Sequence, residues 1–154
     1  ILSGLVGSEM CIRDSSMGGW VTSQVAASDP DLLGAALISA ADMGRMAAAP
    51  EPARMALARD NMESLAVTAE GMAAQLTTLG DASFAAAAPG LAKKPLLVLT
   101  SDDGLAPEAE ALFMKVKQGG GRAAIVHVAT DHGWSSARIR LETEILNWLA
   151  TLTK

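Results

Sequence analysis

Residues 95–107 of this chain read PLLVLTSDDGLAP, and this stretch decides the fold class. Its first part, 96–100, is an apolar run that follows a proline and precedes a polar turn ending at Gly104. A short apolar run bounded by turn residues is typical of a strand buried on both faces, as in parallel sheets. Pro107 suits the first turn of a following helix, and the glycines at 119–121 suit its end. The stretch therefore predicts one strand–turn–helix unit of an α/β fold.

Similar units are predicted on both sides of this stretch. The apolar runs 34–41 and 123–129 are each bounded by turn residues and predict two further buried strands. The segment 21–27 is compatible with a short helix, and the turn residues at 29–31 end it. A serine at 135 or 136 can cap a final helix. The apolar face of that helix carries Leu141, Ile145, Trp148, Leu149 and Leu152.

The segment 43–90 has a different composition from its surroundings. It is rich in Ala, Met, Glu and Arg and poor in β-branched residues, which favours helices. Breaks are predicted near 50–52, 80–81 and 89–90, where proline or glycine occurs. Its methionines are core filler or, if the segment caps the active edge of the sheet, the lining of an apolar substrate cleft. They are Met43, Met46, Met55, Met62 and Met72.

The composition bounds the class of protein. The chain has 154 residues, 50% of them hydrophobic and 19% charged, with a formal net charge of −5. This predicts one packed domain and excludes a disordered or collagen-like chain. The acidic balance argues against a nucleic-acid or anionic-membrane surface, and no apolar run reaches the roughly 20 residues needed to span a bilayer. One Cys and two His exclude a disulfide scaffold and a Cys/His zinc site.

Residues 5–15, LVGSEMCIRDS, resemble the translation of a transposase adapter used to prepare DNA sequencing libraries. The resemblance implies that residues 1–15 are not native and are excluded from fold reasoning. The alternative is a natural N-terminal arm. If the segment is adapter-derived, the one cysteine, Cys11, carries no information about redox compartment. Residues 16–154 are then expected to be the C-terminal part of a longer protein, and localisation is not predicted.

Three polar residues occur where the sequence predicts strand ends or a strand-to-helix turn. Ser16 precedes a glycine pair and a helix, Asp103 follows the second predicted strand, and His132 follows the third. The carboxyl ends of parallel strands share one edge of the sheet, so these groups are expected to converge there. A serine hydroxyl becomes a good nucleophile when a histidine accepts its proton, and a carboxylate holds that histidine in the required tautomer.

The motifs around these residues resemble those of the α/β-hydrolase superfamily, in which the chain order is also Ser, Asp, His. Ser16-Met17-Gly18-Gly19 is similar to the second half of the nucleophile elbow G-x-S-x-G, and Gly18 matches its later glycine. Asp14 stands where the earlier glycine belongs, within the adapter-like segment, so this departure is interpreted as truncation.

The other two motifs complete the resemblance, which extends over residues 16–154. The stretch 95–107 is similar to the acid-bearing segment, in which a proline follows the acid by four positions. That spacing selects Asp103, with Asp102 as the second choice. The residues 131–133, followed by a terminal amphipathic helix, are similar to the histidine loop.

The resemblance implies a mostly parallel sheet with flanking helices, the C-terminal half of a hydrolase fold, with 43–90 as a helical cap-like insertion. It implies a serine hydrolase, an esterase or a peptidase, that acts on a small-molecule ester or a peptide through an acyl-enzyme. Ser16, Asp103 and His132 would form the triad, and the Met17 N–H would donate to the oxyanion. The second oxyanion donor is expected from the N-terminal half. No metal or organic cofactor is needed, and the oligomeric state is not predicted.

Each of these residues also has a purely structural interpretation. Ser16 could cap the helix that follows it. Asp102 and Asp103 could be ordinary turn formers. His132 could be a surface loop residue with Asp131 as a turn former beside it. His127 lies inside a predicted strand and is interpreted as structural.

Two alternatives to a hydrolase remain at this point. One is a hydrolase-fold protein without catalysis that acts as a binding domain. The other, much less favoured, is a flavodoxin-like or nucleotide-binding domain; the sequence contains neither a P-loop nor G-x-G-x-x-G. If the N-terminal half is missing, strand edges are exposed, so the chain as written is expected to be poorly soluble and inactive.

Overall fold

The computed structural model describes residues 10–60 and 66–152, and within them four parallel strands form one sheet in the order β1-β2-β3-β4. The strands are β1 (Met10–Ser15), β2 (Leu32–Ile38), β3 (Leu96–Thr100) and β4 (Ala123–His127). The helices are α1 (Ser16–Ser28), α2 (Met43–Ala47), α3 (Glu51–Asp60), α4 (Ala69–Leu76), α5 (Phe84–Leu91), α6 (Ala106–Gln118) and α7 (Arg138–Ala150), with a short 3-10 helix at Thr77–Leu79. The predicted α/β class with a parallel sheet is confirmed.

The register brings the carboxyl ends of all four strands to one edge. Ser15 pairs with Ile38, and Ile38 in turn pairs with Leu99. One residue further along, Thr100 pairs with His127. The residues that follow these strands therefore begin at nearly the same level, which is the edge where ligands bind in open α/β sheets. We refer to it below as the carboxyl edge.

Helices cover both faces of the sheet. Side chains of α1, α5 and α6 pack on one face, where Leu37, Val98 and Leu112 form part of the core. On the other face α7 packs through Ile145 and Trp148. The strands β2 and β3 are sandwiched between these layers, which explains why their sequences are apolar without alternation.

The connection from β2 to β3 is long and helical. Its last helix, α5, packs against α1 in the main core through Phe84 and Leu91. The preceding helices form two smaller clusters, in which Met43 and Met72 are buried and Met46 and Met55 are half-buried. Met62 lies outside the described residues. The described methionines therefore contribute to packing within this connection.

The predicted break at 89–90 is wrong, because α5 continues through both residues to Leu91. Pro89 has no N–H to donate to the carbonyl of Ala85, four residues earlier in the helix. Both residues are exposed. Water can therefore hydrate that carbonyl. Gly90 serves packing, since a Cβ there would clash with the backbone of Ala27 in α1. The glycine thus permits close approach of two helices and does not end one.

The predicted serine cap of the last helix is also wrong. The residue at the N-cap of α7 is Ala137, and no side chain caps the helix. The Ser136 hydroxyl instead hydrogen bonds to the Thr130 hydroxyl at 2.8 Å, and the Ser135 N–H donates to Asp131 at 2.8 Å. Both serines therefore stabilise the loop before α7.

The segment that resembles an adapter forms part of the sheet where it is described. Its residues 10–15 are β1, which pairs along its length with β2; residues 1–9 lie outside the described part. Cys11 and Ile12 are half-buried and pack against the core clusters on the two faces. Among the described helices none is both long and apolar enough to cross a membrane.

Candidate active site

Ser16 lies at the turn between β1 and α1. It is the first residue of α1 and has a φ of 55°, in the left-handed region that non-glycine residues rarely adopt. A strained strand-to-helix turn of this kind exposes the nucleophile in hydrolase elbows. The interpretation of Ser16 as a helix cap is wrong, because the N-cap is Ser15 and no side chain caps the helix.

Gly18 and Gly19, in the first turn of α1, each leave room for a different neighbouring residue. A Cβ at Gly19 would lie 2.6 Å from the Cβ of Ala40, in the loop after β2. A Cβ at Gly18 would clash with the carboxylate of Asp14. The Asp14 side chain therefore packs directly against the turn that carries Ser16, where a hydrolase elbow has a glycine.

Asp103 and His132 are brought together. Asp103 lies in the turn after β3, and its Oδ2 is 2.8 Å from Nδ1 of His132. Its Oδ1 accepts a hydrogen bond of 2.9 Å from the Leu105 N–H, so it also forms the turn, as the structural interpretation proposed. The Asp103 side chain is 5% exposed, whereas that of His132 is 46% exposed. The carboxylate is thus enclosed, and the imidazole is open to solvent.

The environment of Asp103 favours its charged form. Burial raises the pKa of the carboxyl group, but hydrogen bonds from the Leu105 N–H, His132, Ser101 and Ser39 lower it. The net effect is a pKa below the ordinary value of 3.8. Asp103 is therefore a carboxylate at neutral pH and acts only as an acceptor.

This charge state determines the tautomer of His132. Because a carboxylate cannot donate, the proton between the two side chains belongs to Nδ1 of His132. The neutral ring then carries its lone pair on Nε2. Within the described part of the chain no hydrogen bond is made by His132 Nε2 or by the Ser16 hydroxyl, and the structure shows none between them.

Asp102, the second choice for the acid, has a different partner. Its Oδ1 is 3.1 Å from Nε2 of His127, and Nδ1 of that ring is 3.0 Å from the Thr100 hydroxyl. The structure thus contains two Asp–His pairs side by side. The pair of Asp103 and His132 lies in the loops after β3 and β4, whereas His127 is the last residue of β4 itself.

Asp131 and Met17 occupy supporting positions. Asp131 is an exposed turn former that accepts the backbone N–H of Ser135, and this hydrogen bond lowers its pKa. Met17 is the second residue of α1, so its N–H lies among those of the first turn that have no partner inside the helix. That N–H is available to an anion at the start of α1.

Sequence reasoning missed three residues at this edge: Ser39, Ser101 and Trp134. Ser39 follows β2 directly, just as Ser101 follows β3, and both are buried. The Trp134 indole N–H donates a hydrogen bond of 3.0 Å to the Ser39 hydroxyl. Ser101 follows a predicted strand directly and Trp134 lies two residues after His132, and these positions could have indicated them. Ser39 lay inside the predicted strand 34–41, so no sequence signal marked it.

Comparison with known proteins identifies the fold. No protein-family model and no curated protein sequence matches the chain. Among solved structures, an enol-lactonase from Burkholderia xenovorans matches with a TM-score of 0.61 and 20% identity over 92% of this chain and 66% of the other. An esterase from Pyrococcus furiosus matches with a TM-score of 0.66 and 12% identity, covering 95% of this chain and 54% of the esterase.

A third match is the acylaminoacyl peptidase of Pyrococcus horikoshii, with a TM-score of 0.62 and 17% identity over 91% of this chain and 23% of the peptidase. The chain thus spans 66% of the lactonase and 54% of the esterase. At these identities the likeness shows the fold alone. This chain has the fold of part of an α/β hydrolase.

Proposed function

We propose that this chain carries the catalytic triad of a serine hydrolase that cleaves an ester or amide bond through an acyl-enzyme. The observation that carries the proposal is the 2.8 Å hydrogen bond between Asp103 and His132, at the same sheet edge as the left-handed turn of Ser16. An enclosed carboxylate that orients a solvent-open histidine is the arrangement that activates a serine. Asp102 is not the proposed acid, because its partner is His127.

The proposed reaction has two halves. In the first, the Ser16 hydroxyl attacks the carbonyl carbon while Nε2 of His132 takes its proton, and that proton then passes to the leaving alcohol or amine. In the second, water attacks the acyl-enzyme, His132 takes its proton, and Ser16 is released with its hydroxyl restored. Asp103 stays ionised throughout and stabilises the imidazolium.

The oxyanion formed in each half needs hydrogen-bond donors, and removing one typically costs on the order of 10²–10³ in rate. We propose the Met17 N–H as one donor, since it opens α1 next to Ser16. The resemblance to hydrolases implies a second donor from a loop that precedes the nucleophile in the chain, and we assign it to no residue here. We therefore propose that the 154-residue chain as written is inactive towards ester and amide substrates, although its Ser16 still reacts with an activated reagent.

The proposed substrate class is an acyl group bonded to oxygen or nitrogen, an ester or an amide. The similar structures include an esterase, an enol-lactonase and an acylaminoacyl peptidase. All three names describe acyl transfer to water, which supports this reaction type for the present chain. No cofactor enters the proposed steps.

Reaction with a fluorophosphonate tests the proposal without requiring turnover. The Ser16 oxygen bonds to phosphorus, fluoride leaves, and His132 accepts the hydroxyl proton. We expect mass spectrometry to locate the label at Ser16, with no label there in Ser16→Ala and slower labelling by about 100-fold or more in His132→Gln. The neighbouring exposed Ser15 is the internal control. Equal labelling of Ser15 and Ser16, or no effect of His132→Gln, would contradict the proposal.

One observation favours the second candidate, a hydrolase-fold binding domain without catalysis. Asp14 occupies the place of a glycine, and its carboxylate packs against Gly18 beside the proposed nucleophile. A negative charge there opposes the developing oxyanion. The labelling experiment separates the two candidates, because a binding domain gives no preferential reaction at Ser16.

A further inference from the structure

A group of buried side chains, Ser39, Ser101 and Trp134, lies against the proposed catalytic acid; we call it the serine–tryptophan network. The hydroxyl oxygens of Ser39 and Ser101 are 2.7 Å apart, and the indole N–H of Trp134 donates to Ser39 at 3.0 Å. Each of the three residues is about 1% exposed. Ser101 lies two residues before Asp103, and both hydroxyls are among the groups that lower the pKa of the Asp103 carboxyl. Three side chains from three separate loops thus form one network, and its two serines act on Asp103.

The number of hydroxyl and indole protons determines which groups of this network donate hydrogen bonds and which accept them. An indole N–H only donates, so Ser39 accepts from Trp134. The two serines share a hydrogen bond, which uses the proton of one hydroxyl. The proton of the other hydroxyl is then free for Asp103, which as a carboxylate can only accept. Either serine can donate to the other, and in both cases one hydroxyl proton remains to donate to the Asp103 carboxylate.

The backbone of the network is held in a costly conformation. Ser39 has a φ of 43° and Trp134 a φ of 56°, and together with Ser16 they are the non-glycine residues of the described chain with positive φ. Such conformations persist only where the surroundings impose them, and they cluster at functional sites. Here the two strained residues are the two ends of one hydrogen bond.

The same residues connect the parts of the proposed triad. Trp134 lies two residues after His132, and Ser101 lies two residues before Asp103. The loop that begins at Ser39 reaches the nucleophile, because the Ala41 N–H donates to the Ser16 carbonyl at 3.2 Å. Displacement of Ser39 would therefore move all three members relative to one another.

We propose that Ser39, Ser101 and Trp134 are positioning residues, which hold the orientation and the negative charge of Asp103 for the reaction proposed above, on which this inference rests. Among the described residues, His132 is the one titratable group that hydrogen bonds to Asp103. The other donors are neutral and do not titrate between pH 3 and 8. Loss of a donor therefore acts on Asp103 directly.

The first test is the pH dependence of the free energy of unfolding, measured by urea titration between pH 3 and 7. Ser39→Ala and Ser101→Ala each remove a hydroxyl donor that lowers the pKa of the Asp103 carboxyl, so the pKa of folded Asp103 should rise towards 3.8. The loss of stability on acidification then becomes smaller than in the parent chain. In an Asp103→Asn background the same substitutions should leave the pH dependence unchanged.

Ser23→Ala is the matched control, because Ser23 is fully buried and its hydroxyl donates to the Trp20 carbonyl within α1. It should lower stability equally at every pH. If Ser39→Ala behaves like Ser23→Ala, with a uniform loss and no change in pH dependence, the network is structural packing and the inference is overturned.

The second test is the labelling rate of Ser16. We expect Ser39→Ala and Trp134→Phe to slow labelling roughly 10-fold, since small displacements of a positioned group cost one to two orders of magnitude. Trp148→Phe, in the same core cluster but on α7, should leave the rate unchanged. If Ser16 of the parent chain takes no label, the proposed function fails, whereas the pH test still decides whether the network controls Asp103.

Discussion

The left-handed backbone of Ser16 has an energetic consequence that can be measured at a single residue. A non-glycine residue in that region costs about 1–2 kcal/mol relative to the right-handed region. We expect Ser16→Gly to raise the free energy of unfolding by about 1 kcal/mol, after the larger chain entropy of glycine is subtracted. Ser16→Ala keeps the strained Cβ and should give no gain, although both variants lose the label. Urea unfolding at pH 7 distinguishes them, and equal stability of the two variants would show that the turn is unstrained.

Asp14 is expected to slow the reaction of Ser16. Its carboxylate packs against Gly18, two residues after Ser16, and adds negative charge beside the proposed nucleophile. Asp14→Asn removes the charge and keeps the bulk, so labelling should accelerate about threefold at low salt and less at high salt. Asp14→Gly also restores the hydrolase glycine and should be at least as fast. A rate unchanged in both variants would mean that Asp14 does not influence the site.

Asp103 should give the fold a specific sensitivity to acid. Its folded pKa lies below 3.8, so the unfolded chain binds this proton first as the pH falls. Its contribution to stability is therefore fully present above the pKa of the unfolded chain and is lost as the pH falls from there through the folded pKa. Asp103→Asn removes the titration, so its unfolding free energy should fall less steeply between pH 5 and 3. The prediction fails if the two curves run parallel.

At the scale of single residues, the sequence predicted the residues of the candidate site better than it predicted their hydrogen-bond partners. Ser16, Asp103 and His132 were named because each lies beside a predicted strand or helix end. The choice between Asp102 and Asp103 rested on the spacing to Pro107. Spacing along the chain carries no information about which histidine each carboxylate meets, since His127 ends β4 and His132 lies in the loop after it, both far from the aspartates in sequence.

At the scale of elements, apolar runs were the dependable signal. The strands β2, β3 and β4 were predicted from apolar runs in their own sequences. The helix α6 was predicted from the proline in its first turn and the glycines that follow it. Two element ends were wrong for a common reason. Gly90 and the serines before α7 follow the local rules for ends and caps, but their roles are set by contacts with Ala27 and the loop at Thr130.

The packing role of Gly90 is a testable property of α5. Alanine there gains helix propensity of about 1 kcal/mol, but its Cβ would clash with the backbone of Ala27. We expect Gly90→Ala to lower the free energy of unfolding by about 1–3 kcal/mol, as overpacking does. Gly71→Ala in α4 is the matched control, because its Cβ would meet only the Thr68 hydroxyl, at 3.3 Å. It should be neutral or stabilising, and a similar result for Gly90→Ala would refute the packing role.

On the scale of the whole molecule, the alternation of strands and helices was enough to predict the α/β class, because a parallel strand needs a crossover and a crossover needs a helix. The position of the candidate site followed from the same topology, since all parallel strands end at one edge. The serine–tryptophan network did not follow, because it depends on three loops whose meeting is settled only by packing.

One side of the molecule remains open in the described residues. There β1 is an edge strand, and a groove of about 480 Å³ lies between it and α7, lined by Arg13 and Leu149 among others. Beside this groove Ile139 is 83% exposed and Leu146 65% exposed. An open strand edge next to exposed apolar side chains favours association.

We therefore expect the chain to self-associate at micromolar concentrations, as size-exclusion chromatography with light scattering would show. The double substitution Ile139→Lys with Leu146→Lys places two like charges on this face and should shift the chain towards monomer. Met114→Lys is the matched control for Ile139→Lys alone, since each adds one charge: Met114 is 52% exposed, but it lies on α6, whose core-facing residues pack on the other face of the sheet. If Met114→Lys disperses the chain equally well, the effect is one of net charge alone, and the face between β1 and α7 has no special role. A parent chain that stays monomeric at these concentrations would contradict the prediction outright, because the open edge would then be protected without a partner.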